Sequence, residues 1–173
     1  MKESYIHVAM RQYLKDNGWL LIAGEFPGGT DDELNVLSIF DPKVARDNSP
    51  SPRQHSIGEI IPDLVAYKDG VILIIEAKPR YSKSDKEKLE DLLTDKKDRL
   101  IAALEKFSVN KPGFSNIDYR NACYVPVLAF HHPIETIKKV DPGFVHICVE
   151  SLTRVTMTYF GPEGARIYEQ QNQ

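Results

Sequence analysis

The stretch that decides the fold is "IIPDLVAYKDGVILIIEAKPR", residues 60–80. Two apolar runs flank Asp69-Gly70, a dipeptide suited to a two-residue hairpin turn because both central residues of such a turn take positive φ. "VILII" is a continuous run rich in β-branched residues, as expected of a central strand covered on both faces. With a two-residue turn, Lys68 pairs with Val71 and Asp63 falls opposite Glu76 on one face of the sheet. Directly opposed Cβ atoms lie roughly 4.5–5.5 Å apart, and like charges there destabilise the pair. Folding asks for no such pair of carboxylates. A divalent cation would turn their repulsion into binding, because hard cations prefer carboxylate oxygens. Strand alternation places Lys78 on the face of Glu76, about 6.6 Å further along, and the Ala77 carbonyl is a further candidate ligand. A loop one residue longer would shift this register. The competing structural reading is a surface hairpin whose acids face solvent, with Lys78 in a simple ion pair.

Outward from the hairpin, Ile6, Ala9, Met10 and Tyr13 recur at helical spacing over residues 3–16, and Asn17-Gly18 supplies the stop. "WLLIAGEF" reads as a strand ended by "PGG". Over residues 30–58 the pattern is weak. "LNVLSIF" is a candidate strand, and "DPKVARDNSPSPRQHS" is long enough to be either a binding loop or a surface insertion. After the hairpin, Ser84 and Glu87 form a capping box for a helix to about residue 107, its buried face marked by Leu89, Leu93, Leu100, Leu104 and Phe107. "CYVPVLAF", "FVHICVE" and "RVTMTYF" read as strands, and "ARIYEQQNQ" as a short helix or a disordered tail. The order predicts one α/β domain over residues 1–173, with a mixed central sheet flanked by helices. Its core spans about 3–130 and extra C-terminal strands span about 143–160.

Composition sets the outer limits. Hydrophobic content of 42% and charged content of 27% are ordinary for a globular chain of 173 residues. No apolar run approaches the roughly 20 residues a membrane-spanning helix needs, and "MKESYIHVAM" has no apolar signal region. A cytoplasmic protein is therefore expected, with no membrane partner. Cys123 and Cys148 sit in strand-like stretches and read as buried free thiols. A net charge of −3 argues against a protein that coats nucleic acid nonspecifically, while leaving room for one whose positive charge is concentrated in a groove.

Pro62-Asp63, twelve intervening residues and then Glu76-Ala77-Lys78 resemble the PD-(D/E)XK signature of the restriction-endonuclease-like nucleases. The element order is similar as well, since that family's core runs helix, three strands, helix, strand (αβββαβ). The resemblance implies a Mg²⁺-dependent DNA endonuclease, of restriction type, with Mn²⁺ as a substitute, leaving 5′-phosphate and 3′-hydroxyl ends. It implies that Asp63 bridges the metal and that Glu76 with the Ala77 carbonyl completes the protein ligands. Lys78 would orient or help deprotonate the attacking water and stabilise charge on the scissile phosphate. Many relatives add a glutamate on the first helix, and Glu3 occupies that place; its other reading is an acid favouring the positive end of a helix. The alternatives are a repair, junction-resolving or phage-defence nuclease on the same core, or a non-catalytic nucleic-acid-binding module. One active site cuts one strand, so double-strand cleavage would need a homodimer or a partner subunit.

Further candidates lie nearby. Glu25, at the end of the first strand, and Glu59, four residues before Asp63, are additional acids for the site. Arg80, Lys83, Lys86 and Lys88 are either phosphate contacts or a solvated helix start. His131-His132 reads as structural, "DKKDR" (residues 95–99) as an exposed helix face, and Asp31, Asp32 and Glu33 as a solvated loop. Base recognition, if any, is expected from residues 27–58 and 108–121. Zinc-type Cys/His spacing, a phosphate loop and a nucleophile elbow are absent from the sequence.

Overall fold

The computed structural model describes residues 1–29, 33–40, 59–131, 141–161 and 166–170. The expected hairpin is β4 (Leu64–Lys68) and β5 (Val71–Lys78), paired antiparallel from Lys68↔Val71 to Leu64↔Ile75. Asp69 and Gly70 adopt φ of 48° and 82°, the left-handed pair that a twisted two-residue turn requires. The expected register is therefore the observed one.

Around this hairpin lie α1 (Glu3–Asp16), β1 (Leu20–Gly24), β6 (Cys123–Phe130), β7 (Val145–Val149), β8 (Val155–Phe160) and β9 (Arg166–Gln170). Seven strands form one mixed sheet in the order β1-β4-β5-β6-β7-β8-β9. β4 is antiparallel to both β1 and β5; β6 is parallel to β5 and to β7; β8 is antiparallel to β7 and β9. The crossover from β5 to β6 runs through α2 (Lys83–Thr94) and α3 (Lys97–Ser108). Between β1 and β4, β2 (Ile39–Phe40) and β3 (Glu59–Ile60) form a separate two-stranded sheet.

Alternation along β5 divides the core. Leu73, Ile75 and Ala77 pack with Ile6, Met10 and Tyr13 of α1. Ile72 and Ile74 face Leu89 and Leu92 of α2 and Leu100 and Leu104 of α3. Burying each of these aliphatic side chains contributes about 1.5–3 kcal/mol. Glu76, near the end of β5, thus sits on a strand buried on both faces.

Several expectations are corrected. The single helix to residue 107 is two helices, broken at Asp95 and Lys96; Lys96 has φ −118° and ψ 10°. The cap of α2 is Ser82, whose Oγ accepts from the Asp85 backbone N–H at 3.2 Å, not Ser84 with Glu87. "LNVLSIF" contributes only Ile39–Phe40 as strand. The C-terminal segment is a strand, β9, rather than a helix or disordered tail. Cys148 is buried as expected, but Cys123, at the open start of β6, is exposed; both are free thiols. No described helix is long and apolar enough to cross a membrane.

Candidate functional site

The site forms where α1 begins, β4 begins and β5 ends. Asp63 stands one residue before β4, just beyond the last backbone pair, Leu64↔Ile75. Its carboxylate continues the contact in place of backbone, with Oδ2 accepting from the Ala77 N–H at 2.7 Å. Its own carbonyl accepts from the Glu25 N–H at 3.1 Å, tying the end of β1 to the same point. Burial raises the Asp63 carboxyl above its ordinary range, against the pull of the Ala77 N–H, Lys78 and Lys88.

Glu76, only 3% exposed, lies on β5 and accepts from the Lys88 ammonium of α2 at 2.7 Å through Oε1. Its pKa is pushed up to about 7, first by burial and then by the negative charge of Asp63; Lys88 opposes both. This is the electrostatic signature of two acids near one another in a low-dielectric site.

Lys78, the last residue of β5, donates to Glu3 Oε1 at 3.1 Å. Burial works to lower its pKa, but the carboxylates of Asp63 and Glu3 outweigh it and hold the ammonium above its ordinary value. Alternation alone placed Lys78 with Glu76. The structure instead gives Lys78 a partner on α1 and Glu76 a partner on α2, helices that cover opposite faces of the sheet. At the strand end nothing confines the long lysine stem to one face.

Glu3 is thus brought to the site, and α1 adds a residue that sequence reasoning passed over. His7, one turn on, is buried edge-to-face against Phe26 at 5.7 Å. Ligand atoms of Glu3, His7 and Asp63 lie within 4.8 Å of one another. The available signal was the i, i+4 spacing of Glu3 and His7, which puts both on one helical face. Asp85 was also missed. Its charge raises both acids, and its Oδ2 is buried with no hydrogen-bond partner among the described residues.

The other candidates separate clearly. Glu25 is half-buried and is joined to Asp63 through its backbone. Glu59 pairs with Phe40 between β3 and β2, and its side chain lies outside the described residues. Of the basic run, Lys83 meets Glu87 at 3.4 Å on a solvated helix face, whereas Lys86, part-buried over the Phe144 ring, meets both Glu90 at 3.0 Å and Asp141 at 3.7 Å. Arg80 is exposed, whereas Lys88 points inward at Glu76. His131 Nδ1 bonds the Val149 carbonyl at 2.7 Å, a structural contact, and His132 lies outside the described residues. Glu33 pairs with Lys15 at 2.7 Å; Asp31, Asp32 and residues 41–58 lie outside the described residues. Within 108–121, Tyr119 bonds Ser108 at 2.6 Å and Arg120 bonds Glu105 at 2.7 Å, while most of the other residues of the segment are exposed.

Beside the site, Asp141 accepts from the Tyr81 hydroxyl at 3.1 Å and meets His146 Nε2 at 2.8 Å. Burial lowers the His146 pKa despite Asp141. This pair fastens the segment between β5 and α2 to the start of β7. No family model, curated protein or solved structure matches the chain.

Proposed function

We propose that this protein is a metal-dependent nuclease of the PD-(D/E)XK type, hydrolysing phosphodiester bonds in DNA. The observation that carries the reading is the Asp63–Ala77 hydrogen bond. It brings the acid of the Pro-Asp pair against the Glu-Ala-Lys segment at the end of a buried strand. The arrangement of elements supports it. In the main sheet α1 is followed by β1, β4 and β5, antiparallel in turn, then by the α2–α3 crossover to parallel β6, with β2 and β3 set apart in their own sheet. This is compatible with the αβββαβ order the motif resemblance implies.

The residues suit a Mg²⁺ ion. Four carboxylates (Glu3, Asp63, Glu76, Asp85) interact with two ammonium groups (Lys78, Lys88), an excess of two negative charges. The negative charge raises the Glu76 pKa, and one buried Asp85 oxygen has no hydrogen-bond partner among the described residues. Oxygen donors of this kind are what Mg²⁺ or Mn²⁺ prefers. Asp63 and Glu76 with the Ala77 carbonyl are the proposed ligands, and Glu3 and His7 extend the donor set. A bound divalent ion would lower the pKa of its water and neutralise charge gathering on the phosphate.

The chain's own groups do the rest. Glu3 fixes the Lys78 ammonium at 3.1 Å, where it can hydrogen-bond a phosphate oxygen or the attacking water. Asp63 and Glu3 raise the Lys78 pKa, which favours the ammonium form suited to orienting the water and stabilising charge on the phosphate. The Ala77 N–H holds one Asp63 oxygen and leaves the other to bind.

Incubation with supercoiled, linear and branched DNA in Mg²⁺, Mn²⁺ or EDTA tests the reading, beside Asp63→Ala and Lys78→Ala. Metal-dependent nicking abolished by both substitutions supports it, and undiminished cleavage by Asp63→Ala overturns the site. Discrete fragments from linear DNA identify a restriction-type enzyme, and cutting of branched DNA alone a junction-resolving one. Binding without cutting identifies a non-catalytic module.

A further inference from the structure

The sequence places Lys88 in a basic run suited to phosphates, yet its ammonium is turned inward. It donates to Glu76 Oε1 at 2.7 Å and to the Ile61 carbonyl at 3.1 Å. The two side chains differ sharply in burial, Glu76 at 3% exposed and Lys88 at 33%. A buried carboxylate is thus neutralised by a cation whose side chain reaches solvent. Glu76 is also one of the acids a metal would need, so the ammonium already holds one of the carboxylate oxygens that a metal would take.

We infer that Lys88 is a displaceable internal counter-cation, which holds Glu76 in place while the site is empty and competes with the divalent ion for it. This rests on the metal-site reading above and adds a control to it. Two features make displacement feasible. Only one of the two bonds of Lys88 must break, since the Ile61 carbonyl remains as an anchor. The Lys88 side chain is 33% exposed, so its ammonium, still held by the Ile61 carbonyl, can turn from Glu76 toward solvent. The competition has a definite purpose. A buried carboxylate left without any cation is costly, so the metal-free protein needs Lys88, and that need weakens its hold on the metal. Lys88 therefore acts as a positioning residue that sets how much Mg²⁺ the protein requires.

Competition and simple structural support predict opposite effects on metal affinity. The test is calorimetric titration of the full chain with Mg²⁺ alone, without DNA, for wild type, Lys88→Met and Lys88→Arg, with melting in EDTA alongside. The titration is run at a pH well above the Glu76 pKa of about 7, so that a proton does not replace the lysine. Competition predicts that Lys88→Met melts lower in EDTA but binds Mg²⁺ at least about five-fold more tightly, the lower end of ordinary coupling between ligands. Lys88→Arg, which keeps the charge, should bind Mg²⁺ within about two-fold of wild type, well below that coupling range. Should Lys88→Met not fold in EDTA, Lys88→Gln keeps a polar N–H donor without the charge and carries the same expectation. Unchanged or weaker Mg²⁺ binding by the folded neutral variant overturns the inference while leaving the metal site standing. Failure of wild type and variants alike to bind Mg²⁺ removes the metal site and this inference with it. Because the readout is metal binding, it does not depend on whether DNA is the substrate.

Discussion

The backbone N–H of Ala77 donates to the carboxylate of Asp63 at 2.7 Å, fourteen residues apart in sequence. That bond places an acid where the next backbone pairing would fall, at the end of a buried strand. Asp63→Asn keeps an oxygen acceptor for Ala77 but removes the charge. It should stay within about 1 kcal/mol of wild-type stability, the range of one neutral hydrogen bond. Its cleavage rate should fall by on the order of 10²-fold or more, as when charge stabilisation is removed from an active site. Urea unfolding and plasmid nicking measure the two effects; a rate that falls only in proportion to folded protein would contradict a chemical role.

The Lys78–Glu3 pair separates activity from stability in another way. Both side chains are about a third exposed, 39% and 32%, so solvent screening limits the pair to at most about 1 kcal/mol. Lys78→Met should therefore melt nearly as wild type while losing cleavage, and Glu3→Gln should lose less of it. A Lys78→Met protein with full activity would remove the lysine from the mechanism.

Glu76 predicts a pH dependence whose sign is set by its burial. Its folded pKa, about 7, lies above the ordinary 4.5, so the folded state favours the protonated acid. Its contribution is fully present below about pH 4.5 and is lost as pH rises through 7. The size is on the order of 3 kcal/mol, since each pKa unit corresponds to about 1.4 kcal/mol. In EDTA the wild type should melt lower at pH 8 than at pH 5 by more than Glu76→Gln does. Equal slopes for the two proteins would contradict the assignment. Mg²⁺ should oppose the trend, because metal binding needs the deprotonated acid.

Asp141 supports the site from behind. Asp141→Ala leaves the buried His146 Nε2–H unpaired and removes the bond from Tyr81. A loss of about 2–3 kcal/mol is expected in urea unfolding, with cleavage per folded molecule retained. A loss below about 0.5 kcal/mol, the scale of an ordinary surface change, would show that Asp141 does not brace the β5–α2 segment.

The hairpin was legible because one dipeptide fixes it: only the positive-φ pair Asp69-Gly70 joins those two apolar runs in that register. The helix α1 was legible from end to end, since its apolar spacing and its Asn-Gly stop agree. The break between α2 and α3 was not, because Leu93 and Leu100 stand seven residues apart and the helical period runs on through Asp95 and Lys96. β9 was missed because its polar residues show no apolar face. At the candidate site, hairpin register pointed to Asp63 opposite Glu76, and alternation along β5 to Lys78. Neither revealed which helix each side chain meets. Lys88 lies twelve residues from Glu76, and its inward turn follows from how α2 packs on the sheet. His7 was hidden by its place among the buried residues of α1, where a histidine reads as core.

The most direct test of the central claim is the Mg²⁺ dependence of supercoiled-DNA nicking by wild type and Asp63→Asn, at equal concentrations of folded protein. Nicking that rises with Mg²⁺, stops in EDTA and is lost in Asp63→Asn is the predicted result. Nicking that persists in EDTA, or is equal in the two proteins, would contradict it.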